Sequence, residues 1–301
     1  RLPMSKLRVG LAKHPYNGHL HAVEIDPHAT AMEEGVKEKL EEWGCELADY
    51  KVSYLTEEEE KTYGARYRMA LSSNHGADQV AAMIKAGLFP IGFLSNCTNL
   101  MGMLAGHQRA GPTWKPLRVG LVWMDAHSDF NTPETSLSGM MGGMPVAIST
   151  GLCLHHIRNT VGLNPPLPMS YVTMLGVRDV DPLEQHLIDT HGIHQITVKD
   201  VQTQSPVIMQ EINRLASLTD ITYIHVDLDV LDPEYMPGHM TPAPGGVTAD
   251  ELKETMITIF KHPKVCGLGL ASYPSEKDTE KIGLNSIHKL IEGAVLGYKA
   301  R

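Results

Sequence analysis

The chain has 301 residues, 42% of them apolar, and a formal net charge of -9, enough for one large α/β domain or two small ones. An acidic balance without any basic cluster argues against nucleic acid as a partner, and no apolar run approaches the roughly 20 residues that would cross a membrane. Four scattered cysteines without CxxC spacing, and no signal-peptide pattern, set the expectation of a cytoplasmic protein.

In chain order, a first strand is expected over residues 7–12. It leads into His14-Pro15-Tyr16-Asn17-Gly18-His19, whose Pro and Asn-Gly mark a turn-rich surface loop rather than a metal site. Val36, Leu40 and Trp43 fall at helical spacing among charges, and Gly44 closes that helix. The acidic run Glu57–Glu60 reads as a solvated helix start. A helix over 77–86 precedes a strand over 90–94, which runs out into Ser95-Asn96-Cys97-Thr98-Asn99.

The apolar run 117–124 is a buried strand that ends in Asp125-Ala126-His127-Ser128-Asp129. Side chains of an extended segment alternate, so Asp125, His127 and Asp129 are expected on one face. A polar loop from Asn131 through Ser138 to Gly143 has the composition of a substrate-facing segment. Strands over 171–177 and 195–198 alternate with helices over 183–190 and 207–215. The β-branched run 221–226 then ends in a second cofacial pair, Asp227 and Asp229. Thr248 and Glu251 form a capping box for a helix reaching residue 261, and a strand over 265–270 and a helix over 281–296 complete the chain. Alternation without a linker predicts one parallel sheet with helices on both faces, a single domain over 4–301.

Either acidic terminus alone fits a strand-end hydrogen-bond cluster as well as a metal site. Together they place four Asp and one His at two strand ends, where like charges raise each other's pKa. Divalent cations remove that conflict. An oxygen-rich set with one imidazole suits Mn, Co, Ni or Fe better than a closed structural zinc site.

The segments Asp125-Ala126-His127-Ser128-Asp129-Phe130-Asn131-Thr132-Pro133, Ser138-Gly139 and Asp227-Leu228-Asp229-Val230-Leu231-Asp232-Pro233 resemble the ureohydrolase family of arginase, agmatinase and formiminoglutamase. The resemblance implies a three-layer α/β/α fold with an eight-stranded, mostly parallel sheet, two Mn2+ per subunit, and a homotrimer or hexamer. It also implies that Asp125 and Asp227 bridge two metals, that His127 and Asp229 serve one, and that Asp129 serves the other. The implied reaction is hydrolysis of a guanidino group by a metal-bridging hydroxide, with Asp129 passing its proton to the leaving amine.

Three positions depart from the family pattern. Cys97 stands where the family has a histidine ligand, and reads either as a thiolate ligand that shifts preference away from Mn or as a small buried cysteine beside a weak metal position. Gly142 replaces a proton-shuttling histidine, and Ser272 falls near the usual guanidinium-anchoring glutamate. Asn131 and Ser138 match positions that contact a substrate carboxylate, Asp181 one that meets an α-amino group, and Glu184 and Thr241 neighbouring pocket positions. Asp181 could equally be only the N-cap of its helix.

A small guanidino amino acid is therefore the expected substrate, arginine or an N-substituted arginine such as N-hydroxyarginine, whose more electrophilic carbon needs less assistance. The alternative is a catalytically silent homologue serving as a subunit partner. A single-metal amidohydrolase like the histone deacetylases is disfavoured because the two Asp motifs are nearly complete. His239 is the candidate replacement shuttle, His155 and His156 are expected to be exposed or hydrogen-bonded, and Met140, Met141 and Met144 are expected to line the pocket.

Overall fold

A computed structural model describes residues 6–17, 25–112 and 114–301. Gly18 and His19 of the first loop lie outside them. The strands are β1 (Leu7–His14), β2 (Cys45–Val52), β3 (Phe89–Leu94), β4 (Val119–Met124), β5 (Val172–Leu175), β6 (His194–Ile196), β7 (Ile221–Asp227) and β8 (Val265–Ala271). They form one eight-stranded sheet in the order β2-β1-β3-β8-β7-β4-β5-β6, parallel at every pairing. Every residue of β3 and β4 is buried, as expected of strands covered on both faces.

The helices are α1 (Pro27–Ala31), α2 (Val36–Glu42), α3 (Glu57–Glu60), α4 (Ala65–Lys85), α5 (Leu100–Arg109), α6 (Pro145–Ser149), α7 (His155–Val161), α8 (Pro182–His191), α9 (Val198–Gln202), α10 (Val207–Leu218), α11 (Ala249–Phe260) and α12 (Ile282–Lys299). Val36, Ile212, Met256 and Ile291 of α2, α10, α11 and α12 belong to one apolar cluster. Met69, Leu104, Val146 and Ile157 of α4, α5, α6 and α7 belong to a second, on the other side of the sheet. The result is the expected three-layer α/β/α architecture. No described helix is long and apolar enough to cross a membrane.

Several elements differ from the sequence expectation. The helix placed over 77–86 begins at Ala65, because Ser72, Ser73 and Gly76 occupy buried positions and dilute its apolar period. Helix α5 is buried on almost all sides and so has no polar face to reveal it. Strand β2 is a half-exposed sheet edge with weak alternation. Val198 opens α9 instead of ending a strand, since Thr197 and Asp200 form a capping box in front of it. His14 is no loop residue: it closes β1 and is fully buried.

Candidate metal centre and substrate cavity

Four adjacent strand tips build the site. Met124 of β4 lies opposite Val226 of β7, and both Asp227 of β7 and Leu94 of β3 lie opposite Ala271 of β8. Ser95, Asp125, Asp227 and Ser272 therefore leave the sheet at nearly one level. From β3 the chain passes over β8 and β7 to β4, which opens the crevice at the strands' carboxyl ends where open α/β sheets hold ligands.

The side chains converge by a different route from the expected alternation. Asp125 Oδ1 accepts the His127 backbone N–H at 2.6 Å, Asp227 Oδ1 accepts that of Asp229 at 2.9 Å, and Asn96 Oδ1 accepts that of Thr98 at 2.9 Å. The tips of β3, β4 and β7 are thus Asx turns, in which the first side chain folds the backbone that carries the next donor. Residues Leu228–Val230 form a 3-10 turn, and Asp129 sits in the left-handed region at φ 45. Asp125 joins Asp129 in one donor group and His127 in another because the chain bends, not because it is extended.

Cys97, Asp125 and Asp129 bring one donor atom each within 4.8 Å of one another; so do Asp125, His127 and Asp229, and so do Asp227, Asp229 and His239. His127 Nδ1 lies 2.9 Å from Asp229 Oδ2 and 3.3 Å from Asp125 Oδ1, while its Nε2 is 3.4 Å from Asp179. The Cys97 sulfur is 2.9 Å from Asp227 Oδ2. His239 Nε2 stands 3.4 Å from Asp227 Oδ1 and, among the described residues, is counted in no hydrogen bond.

Burial, reinforced by Asp229 and Asp227, pushes the Asp125 carboxyl well above the usual carboxylate range. Asp129 is raised likewise by burial and by Asp227. Burial and Asp227 also push the Cys97 thiol up. Asp229 goes the other way: burial opposes its charge, but the hydrogen bond from His127 holds its carboxyl well below the ordinary value. His127 is raised to about 9 because Asp229 outweighs the burial that would lower it.

A divalent cation fits this donor set. Among the described residues Asp125 Oδ2 is buried without a hydrogen-bond partner, an orphan that usually costs on the order of 1–3 kcal/mol. Five acidic groups counting the thiol, with two imidazoles at their edge, would exchange their protons for metal charge. Cys97, Asp125, His127, Asp129, Asp227, Asp229 and His239 are the residues that could hold it.

These residues border one cavity of about 730 Å³. Its walls also carry Asn131, Ser138, Asp181, Glu184 and Thr241, so the structure brings all the expected substrate positions to one place. Asn131 Nδ2 donates to Asp181 Oδ2 at 3.1 Å, and Thr241 Oγ1 donates to Asp229 Oδ2 at 3.1 Å. Glu184, buried, accepts the backbone N–H of Phe130 at 2.9 Å and that of Asp181 at 3.1 Å. Asp181 is indeed the N-cap of α8, while its side chain also faces the cavity.

A family model described as "Arginase family" matches residues 21–296. The chain belongs to the arginase family. Its relatives include the arginase of Bacillus caldovelox, 31% identical over 237 residues that cover 76% of this chain and 77% of that one. Human arginase-1 is 28% identical over 246 residues, 78% of this chain and 75% of its own. The solved arginase from Bacillus cereus superposes with a TM-score of 0.82 at 25% identity, covering 96% of this chain and 98% of that one. Formimidoylglutamase from Bacillus subtilis shares the fold, with a TM-score of 0.72 at 18% identity over 98% of this chain and 88% of that one. Members of this family are binuclear-metal ureohydrolases, and this arginase-family chain is an enzyme of that class.

Some expectations about the surroundings need revision. Of the methionines, Met140 borders the cavity, whereas Met141 and Met144 are buried in the apolar cluster beside it. His155 and His156 are exposed at the start of α7, as expected. His239 was singled out only as a shuttle, yet it also stands among the donors. His225 and Tyr223 were passed over inside an apolar strand, although their two-residue spacing from Asp227 sets all three on one face of β7.

Proposed function

We propose that this ureohydrolase cleaves the guanidino group of an α-amino acid, giving ornithine with urea from arginine, or with a substituted urea from N-hydroxyarginine, the preferred substrate. The observation that carries the reading is one cavity in which a nearly complete ligand cluster faces a wall that bears Gly142 and Ser272. By resemblance Gly142 stands where the shuttle would be, and Ser272 near the place of the guanidinium anchor. A substrate with a more electrophilic carbon needs them less.

Cys97, Asp125, His127, Asp129, Asp227 and Asp229 would hold two divalent ions, Mn2+ by resemblance, with Cys97 opening the site to ions that accept thiolate. Bound there, the ions would supply Lewis acidity and lower the pKa of water at the site toward neutrality. Asp129 accepts the proton of the attacking water and returns it to the leaving nitrogen. Asn131 and Ser138 take the substrate carboxylate and Asp181 the α-ammonium, with Glu184 and Thr241 shaping the wall. His239, beside Asp227 and Asp229, carries protons between the site and solvent. Four unpaired cysteines support a reducing cytoplasm, and the family resemblance supports a homotrimer or hexamer.

Steady-state release of urea from arginine and of hydroxyurea from N-hydroxyarginine tests this reading. A kcat/KM at least about tenfold higher for the hydroxylated substrate is expected, about 1.4 kcal/mol of transition-state binding. A tenfold preference for arginine would rule the substituted substrate out.

A further inference from the structure

We infer that His225 is a positioning residue for Cys97, aiming the sulfur at the metal centre, with Tyr223 and Trp123 fixing the imidazole on two other sides. The inference rests on the reading of Cys97 as a ligand, and goes beyond it by naming what orients the sulfur.

Tyr223, His225 and Asp227 point to one side of β7, so a single strand delivers both a ligand and its support. Tyr223 and His225 are fully buried. Tyr223 Oη lies 3.0 Å from His225 Nδ1, and His225 Nε2 lies 3.3 Å from Cys97 Sγ. The Trp123 ring stacks on the imidazole with centroids 4.5 Å apart and planes 6° from parallel. Trp123 in turn donates its indole N–H to the His127 carbonyl at 3.0 Å, tying this plate to the loop that carries another ligand.

The direction of the hydrogen bonds follows from the chemistry. A thiolate bound to a metal has no proton to give, so His225 can serve it only with an N–H on Nε2. The Tyr223 hydroxyl, donating to Nδ1, selects that tautomer. An imidazole gripped at both nitrogens and stacked on indole leaves the sulfur little freedom. Asp125 Oδ2, buried and unpartnered within the same donor group as Cys97, marks where the ion would lie. The arrangement matches the general rule that ligands are oriented by hydrogen-bonded partners behind them.

Cobalt(II) loaded into the intact protein makes the test spectroscopic. The parent should show a thiolate-to-cobalt charge-transfer band that Cys97→Ser abolishes. His225→Phe, which keeps a ring against Trp123 but removes the N–H, should move that band to lower energy and weaken Co2+ binding by about 10–100-fold. His225→Gln, which keeps an N–H donor, should restore the band toward its parental position, and Tyr223→Phe should shift it by a smaller amount. An unmoved band and unchanged affinity in His225→Phe overturn the inference. Where that variant does not fold, an unmoved band in Tyr223→Phe does so. A parent protein without any such band overturns the ligand reading as well as this one.

Discussion

Two groups of buried titratable side chains invite comparison: the carboxylate cluster at the strand tips, and His14 and His107 inside the fold. Both histidines are fully buried and pushed down to about 4 by burial, His107 despite the Met103 carbonyl that accepts from its Nδ1 at 2.7 Å. Among the described residues neither meets an acid, and each fills a space left by a glycine: a Cβ on Gly76 would lie 2.4 Å from His14 Cε1, and one on Gly267 2.4 Å from His107 Nε2. A histidine can simply become neutral and pack. Acidic groups packed this closely relieve their repulsion by holding protons, as Asp125 and Asp129 do, by facing a protonated imidazole, as Asp229 does, or by taking a cation. Burial of a titratable group is thus weak evidence for a site, whereas convergence of like groups beside a cavity is strong evidence.

The comparison breaks most visibly if the cluster tolerates loss of a member. Asp227→Asn should empty the centre of metal and lower kcat by about 10³-fold or more, the scale of removing a principal electrostatic group. Metal analysis beside a urea assay measures this, and full metal content with full turnover would reduce the cluster to a structural role.

A second effect concerns pH. Asp125 and Asp129, whose folded carboxyls are raised, contribute stability that is complete below their unfolded pKa and is lost as pH rises through the folded value. Divalent ions displace those protons, so added Mn2+ should raise Tm more at about pH 8 than at about pH 6, with a stabilisation of about 2.7 kcal/mol where the ion reaches 100-fold over Kd. A gain that shrinks toward alkaline pH would contradict this sign. The smallest effect belongs to the other group. Gly76→Ala should cost about 1–3 kcal/mol by overpacking, read by denaturant unfolding, and leave metal content unchanged.

The sheet was legible because its inner strands are continuous apolar runs, and the candidate donors because Asp and His recur at two-residue spacing behind them. Helix α5 was not legible, since a helix buried all round lacks the polar stripe that announces one. The candidate donors converge for a reason other than the expected alternation: Asx turns bring them together. Periodicity carries no sign of a side chain bonding its own backbone. His225 was hidden by its apolar neighbours, and only the distance to Cys97 discloses it.

Glu184 grips the peptide of Phe130 and that of Asp181 with one carboxylate, and Asn131 reaches across to Asp181 as well. Asp129 therefore sits one residue from a clamp whose other jaw begins the helix that would greet the amino-acid head. The span between Asp129 and Asp181 is thus set by main chain, like the stops on a gauge block, and under the proposed reading it would measure the distance from head to scissile carbon. Homologues one methylene shorter or longer than arginine should seat at one end and miss at the other.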